Sequence, residues 1–179
     1  ISLLEKHLKD IGVKIKINSL IGKVITLDNL TADGFKSIFI GTGVWNPRKL
    51  NIPGETLAHV HYAIDYLRSP SLYDLGDNVA VIGAGNVAMD AARSAKFNGA
   101  KNVHVYYRRD FEDMTATKHE IEEAKEEDVI FNTFKAPIKI TDDGIEFVNT
   151  NKIKNEDGTI SLVTIENSNS FVKCDSVLI

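Results

Sequence analysis

The chain has 179 residues, of which 43% are hydrophobic and 26% charged, with a formal net charge of −4. That balance suits one good core or two small ones and excludes disorder and fibrous repeats. An acidic chain with no Lys/Arg run longer than two gives no electrostatic reason to expect nucleic acid as a partner.

In chain order, Leu3, Leu4, Leu8 and Ile11 fall at helical spacing before the stop signal Gly12, which predicts a helix over 1–11. Val13, Ile15 and Ile17 alternate with Lys14 and Lys16 and predict a half-buried strand. A helical turn is expected near Leu27 and Leu30. The apolar run Ile38-Phe39-Ile40 predicts a buried strand over 36–40 that ends on Gly41-Thr42-Gly43. Residues 44–76 are punctuated by Pro47, Pro53-Gly54 and Pro70 around one expected helix, 57–67, and a domain boundary is read here.

Strand 79–82, loop Gly83-Ala84-Gly85, helix 86–97, stop Asn98-Gly99 and strand 103–107 then form a β-α-β unit. Thr117 and Glu120 fit a capping box, opening a helix that turns Ile121 and Ala124 inward and Glu122, Glu123, Glu126 and Glu127 to solvent. Strand 129–134 follows. Beyond Pro137 the turn signals Asp143-Gly144, Asp157-Gly158 and Asn167-Ser168-Asn169 predict a small antiparallel meander at about 138–173, ahead of a last strand, 176–179. The expected class is α/β: a Rossmann-like parallel sheet with helices and a β-meander, divided as 1–46, 47–174 and 175–179.

The apolar stretches are strand-sized and no signal peptide is read, so a cytoplasmic protein without a membrane partner is expected. Cys174 is the single cysteine, which leaves no internal disulfide, Cys-x-x-Cys pair or iron–sulfur cluster of the chain's own. His59-Val60-His61 has no Cys, Asp or Glu at ligand spacing, and no metal ligand is assigned. Ile1 at the start and the apolar Val177-Leu178-Ile179 at the end read as cuts, so the chain is expected to be an excised piece of a longer protein.

Gly83-Ala84-Gly85-Asn86-Val87-Ala88 is a G-x-G-x-x-A sequence placed between a strand and a helix. Gly83 permits the tight turn, Gly85 lets a pyrophosphate approach the backbone, and the amides of Asn86 and Val87 face the phosphates at the positive end of the helix. Ala88, Ala91, Ala92 and Ala95 give that helix a face of methyl groups for close packing. Twenty residues beyond Ala88, where an acid would bind the ribose hydroxyl of NAD, stand Arg108-Arg109. Arginine can take the 2′-phosphate of NADP bidentately, which favours NADP(H), whereas Asp110 leaves open a neutralised surface pair or a displaced ribose acid.

The run 79–90, with Tyr107-Arg108-Arg109-Asp110 downstream, resembles the NADPH domain of the glutamate synthase small-subunit family, which also includes parts of dihydropyrimidine dehydrogenase and ferredoxin:NADP oxidoreductases. Residues 39–43 look like the strand and glycine turn returning from the FAD domain of that family. Residues 51–55 look like the hinge into its nucleotide domain. The resemblance implies that 1–46 is a partial FAD-domain segment with Thr42 and Gly43 near flavin, that 47–174 binds NADP(H), and that 175–179 leads back to the FAD domain. It implies an oxidoreductase passing electrons from NADPH to FAD and on to iron–sulfur centres. Its partners would be the remainder of the FAD domain and a larger catalytic subunit or a ferredoxin-like carrier.

Two departures from that family stand out. Met114-Thr115-Ala116 replaces Met-Pro-Ala or Met-Pro-Gly, which is expected to leave the loop freer, and Val44-Trp45 replaces small residues, with Trp45 expected to pack rather than to meet flavin. No catalytic residue is assigned, because cofactors carry the chemistry in such proteins, and the isolated fragment is expected to be inactive. The alternative is a nucleotide-sensing Rossmann module without hydride transfer. A short-chain dehydrogenase is excluded, since no Tyr is followed four residues later by Lys.

Overall fold

The computed structural model describes residues 2–43 and 45–179. The chain divides into two compact units, Ile1–Val44 and Trp45–Ile179.

The first unit holds two helices, α1 (Ser2–Asp10) and α2 (Leu27–Ala32). α1 carries a Lys9–Glu5 ion pair one turn apart, and α2 begins at a reciprocal cap between Thr26 and Asn29. The strands expected over 13–17 and 36–40 do not form. Both segments are described without strand structure, and the β pairing among the described residues of this unit is an isolated bridge, Ile21 to Ile25. An alternating pattern assigns two faces to a segment but supplies no neighbour for its amides and carbonyls, and a strand exists only as part of a ladder. Val13, Ile15, Ile17, Ile38, Phe39 and Ile40 are accordingly exposed.

The second unit has three layers. Its middle is a parallel sheet of β1 (Val60–His61), β2 (Asn78–Ile82), β3 (Asn102–Tyr106), β4 (Ile130–Asn132) and β9 (Ser176–Leu178), in the order β1-β9-β2-β3-β4. The last strand of the chain thus lies between the first two. Helices α3 (Ala63–Tyr66), α4 (Asn86–Phe97) and α5 (Lys118–Glu126) cover one face, where Val79, Val81, Val103 and Val105 meet Ala88, Met89, Ala91, Ala92 and Ala95. The alanine face of α4 is completely buried, as its spacing predicted, because methyl groups admit the helix close to the sheet.

The other face is covered by strands rather than helices. β5 (Lys135–Thr141), β6 (Gly144–Lys154), β7 (Ile160–Thr164) and β8 (Ser170–Lys173) form an antiparallel sheet with β6 bound to each of the others. Ile140, Ile145 and Phe147 from it pack on Ala80, Tyr106, Cys174 and Val177. The Tyr106 and Phe147 rings stack with centroids 4.3 Å apart. Consecutive residues of β2 therefore enter different cores, Val79 and Val81 the helical one and Ala80 the other, as strands buried on both faces do.

Three further expectations are corrected. The helix expected over 57–67 is confined to α3, because the carbonyls of His59 and His61 accept from the amides of Val177 and Ile179 and hold β1 in the sheet. Strand β4 is shorter than 129–134, since Asp128 and Phe134 adopt left-handed backbone with φ of 60° and 57° at its two ends. Glu123 and Glu127 do not simply face solvent: Arg93 donates to both, at 2.7 and 2.6 Å, and ties α4 to α5.

Candidate functional site

β2 and β3 run side by side with Ile82 opposite Tyr106, so the segments that follow them leave the same carboxyl edge of the sheet as neighbours. The Gly83 amide donates to the Tyr106 carbonyl at 3.0 Å, and with φ of +128° Gly83 turns the chain sharply out of the sheet. Ala84 is buried. Gly85 caps α4 in extended conformation, and its carbonyl accepts from the amides of Ala88 and Met89. The amides of Asn86 and Val87 carry no hydrogen bond among the described residues, so two donors open outward at the positive end of a helix of 12 residues.

Next to this turn runs the segment Thr115-Ala116-Thr117. The amides of Thr115 and Ala116 both donate to the Ala84 carbonyl at 3.0 Å, and the Thr117 amide lies 3.3 Å from Oδ1 of Asn86. Thr115 therefore does not leave the loop free. Proline has no amide hydrogen, whereas threonine supplies one that straps the loop to the glycine turn. The capping box stands as expected, with Thr117 Oγ1 accepting from the Glu120 amide and the Glu120 carboxylate accepting from the Thr117 amide.

Arg108 and Arg109 follow β3 with exposed side chains and form no ion pair among the described residues. Asp110 does not neutralise them. Its carboxylate accepts from the Phe111 amide at 2.7 Å and caps the short 3-10 turn 111–113. The backbone of the arginines is held from the antiparallel sheet: the Thr150 hydroxyl donates to the Arg108 carbonyl, and the Phe134 amide to the Arg109 carbonyl. Lys152 pairs with Asp113 at 2.5 Å, and this hydrogen bond, helped by the charge of Arg109, lowers the Asp113 pKa. The Tyr107 hydroxyl closes the loop on the Asp113 carbonyl at 2.8 Å. Sequence reasoning missed Thr150, Lys152 and Asp113, because nothing near them in the chain signals a partner so distant.

Gly83, Ala84, Gly85, Asn86, Val87, Arg108 and Arg109 thus gather at one edge of the sheet. Thr42 and Gly43 belong to the first unit, where both are exposed and Gly43 has a φ of +73°. Trp45 is 62% exposed, with the Arg68 guanidinium 5.8 Å from its ring centroid rather than in a buried packing site. Two clefts, one lined by 73–77, Ala95 and 98–100 and the other by 74–78 and Asp175, open at the amino end of β2, the opposite edge. No group of three or more His, Cys, Asp or Glu is placed to hold a metal ion among the described residues, and no described helix is long and apolar enough to cross a membrane.

The edge can bind a dinucleotide. Space beside Gly85, free amides at a helix start, and cations at the end of the neighbouring strand match a pyrophosphate and a further phosphate one nucleoside away. Residues 13–179 match the model of the family described as pyridine nucleotide-disulphide oxidoreductase. The chain is 32% identical to the NADP(+)-dependent formate dehydrogenase subunit beta of Moorella thermoacetica over 185 residues, which covers 96% of this chain and 26% of that protein. It is 30% identical to the glutamate synthase [NADPH] small chain of Escherichia coli (strain K12), covering 74% of this chain and 31% of that one. The solved structure of Mycobacterium tuberculosis FprA in complex with NADPH superposes with a TM-score of 0.73 at 17% identity, over 99% of this chain and 56% of that one, a likeness of fold. The chain therefore spans about a quarter to a third of these two curated relatives.

Proposed function

The chain belongs to the pyridine nucleotide-disulphide oxidoreductase family, and from that membership we propose that residues 47–174 bind NADP(H) and present it to FAD held by a longer protein. The observation that carries this reading is the gathering, at one carboxyl edge, of the open amides of Asn86 and Val87 with the exposed side chains of Arg108 and Arg109, which form no ion pair among the described residues. The amides take the pyrophosphate. One or both arginines take the 2′-phosphate, and Asp110, engaged in its own turn, does not compete for it.

Residues 1–46 are the partial FAD-domain segment, with Thr42 and Gly43 near the flavin, and 175–179 lead back to that domain. The flavin supplies the hydride acceptor, and the residues of this chain bind and orient the nucleotide without a catalytic acid or base. Onward transfer runs through iron–sulfur centres outside the chain to a larger catalytic subunit or a ferredoxin-like carrier, as in an enzyme of the glutamate synthase small-chain type. The 179 residues alone are inactive in this reading. Calorimetric titration of the full-length protein tests it: NADP+ is expected to bind roughly tenfold to a hundredfold more tightly than NAD+. Equal affinity, or no binding of either, overturns the assignment.

A further inference from the structure

The volume that a side chain at Gly85 would fill has one boundary atom. A Cβ built there meets Thr115 Oγ1 at 3.4 Å and no other atom within 4 Å beyond its chain neighbours. That volume is also where a bound pyrophosphate comes nearest the backbone, which is why glycine is needed at this point of the turn. Thr115 is held there by its own backbone, through its amide on the Ala84 carbonyl and that of Ala116 on the same oxygen. Its hydroxyl has no hydrogen-bond partner among the described residues. A hydroxyl rotates to suit an acceptor, and a phosphate oxygen seated in or just beyond the vacant Cβ volume lies within its reach.

We propose that Thr115 is a coenzyme-binding residue whose hydroxyl donates to the pyrophosphate as a third donor beside the amides of Asn86 and Val87. The inference rests on the nucleotide-binding reading above and adds to it a contact that proline at this position cannot make. Because NADP and NAD share the pyrophosphate, Thr115 contributes affinity for both and discrimination for neither. This separates its role from that of the arginines.

The test is calorimetry of the full-length protein with NADP+ and NAD+, comparing wild type, Thr115→Val, Thr115→Ser and Gly85→Val. A donor to an ionised phosphate is worth about tenfold, so Thr115→Val is expected to weaken both nucleotides by roughly that factor at an unchanged ratio. Thr115→Ser should restore binding, and the thermal midpoint of Thr115→Val should match wild type, because the hydroxyl holds no protein group. Wild-type affinity in Thr115→Val alongside lost binding in Gly85→Val overturns the role of Thr115 and leaves the pyrophosphate site standing. Wild-type binding in Gly85→Val overturns the site itself and this proposal with it. A loss for NADP+ alone moves the hydroxyl to the 2′-phosphate and overturns the placement. A lowered thermal midpoint without rescue by Ser makes Thr115 a structural residue and overturns it too.

Discussion

The hydroxyl of Thr150 in the antiparallel sheet donates a 2.6 Å hydrogen bond to the carbonyl of Arg108 at the end of the neighbouring parallel strand, 42 residues earlier in the chain. Thr150 is only 4% exposed, and its amide donates to the Phe134 carbonyl while the Phe134 amide donates to Arg109. The sheet that replaces helices on one face of the fold therefore also fixes the backbone from which both arginines project.

Thr150→Val should show this. The substitution keeps the branched shape and removes the donor, leaving a carbonyl in a poorly hydrated place, at a cost of about 1 to 3 kcal/mol in stability. Denaturant unfolding measures the loss, and titration should show NADP+ weakened more than NAD+, because the displaced loop carries the arginines proposed to meet the 2′-phosphate. Wild-type stability together with wild-type affinity for NADP+ would mean that the sheet does not hold the loop.

Gly54 makes a second long-range closure. It has a φ of +86°, and a Cβ there would fall onto the carbonyl of Ile140, whose amide donates to the Pro53 carbonyl at 2.8 Å. The segment that resembles an interdomain hinge is thus buttoned to β5. Gly54→Ala combines left-handed strain with backbone overlap and should cost about 3 kcal/mol or more, read as a lower denaturant midpoint. A midpoint within error of wild type would show that the corner opens freely.

The parts of this fold legible in the sequence are those whose signals are local. α4 occupies the expected residues, and β2 and β3 lie within one residue of expectation, because an apolar run, two glycines and an alanine stripe specify strand, turn and helix without reference to distant partners. Where a partner decides, the pattern misleads. Leu57, Val60, Ala63 and Leu67 mimic one helix, yet Val177 and Ile179, more than a hundred residues on, take the carbonyls of His59 and His61 and draw that backbone into the sheet. Arg108 and Arg109 are visible from their distance to the glycines, but Thr150 and Lys152 are not, since they belong to another sheet. Thr115 was legible only as a missing proline. That its amide would find the Ala84 carbonyl follows from the fold of the loop alone.

Two buried acids make stability fall in alkali. Burial pushes the Tyr106 phenol from 10.0 to about 12, with the nearby Cys174 adding to the shift, and pushes the Cys174 thiol from 9.0 to about 11, with Asp175 adding. Both folded values lie above the unfolded ones, so above pH 9 the unfolded chain binds fewer protons than the native one. Stability is therefore fully present below pH 9 and falls as pH rises toward 12, by about 1.4 kcal/mol per pH unit for each group in its window. Denaturant midpoints taken across this range should decline, and Tyr106→Phe, which keeps the stack on Phe147, should make the decline shallower. A midpoint that is flat to pH 11 would show that both groups ionise in the native state as they do in water.

The proposed coenzyme preference rests on two side chains that form no ion pair among the described residues. Arg93, Lys101 and Lys152 each have a carboxylate partner, whereas Arg108 and Arg109 form no ion pair among the described residues: Asp113, on which the charge of Arg109 acts, is paired with Lys152, and Asp110 accepts from the Phe111 amide. Their backbone is braced by Thr150 and Phe134 and their exposed side chains hold no ion pair among the described residues, so a 2′-phosphate would meet them without first breaking one. Charge-assisted hydrogen bonds contribute about 1.5 to 3 kcal/mol each, which corresponds to roughly tenfold to a hundredfold in favour of NADP(H). Replacing Arg108 and Arg109 together by Ala should erase that margin, weakening NADP+ strongly and NAD+ only slightly, while the fold stays intact because both side chains are exposed. Raising the salt should weaken NADP+ more than NAD+ in the wild type and equally in the double variant, since exposed charges are screened within about 10 Å at 0.1 M ionic strength. A preference for NAD+ that the double substitution leaves untouched would make the arginines ordinary surface residues and would return Asp110, freed from its turn, as the ribose ligand.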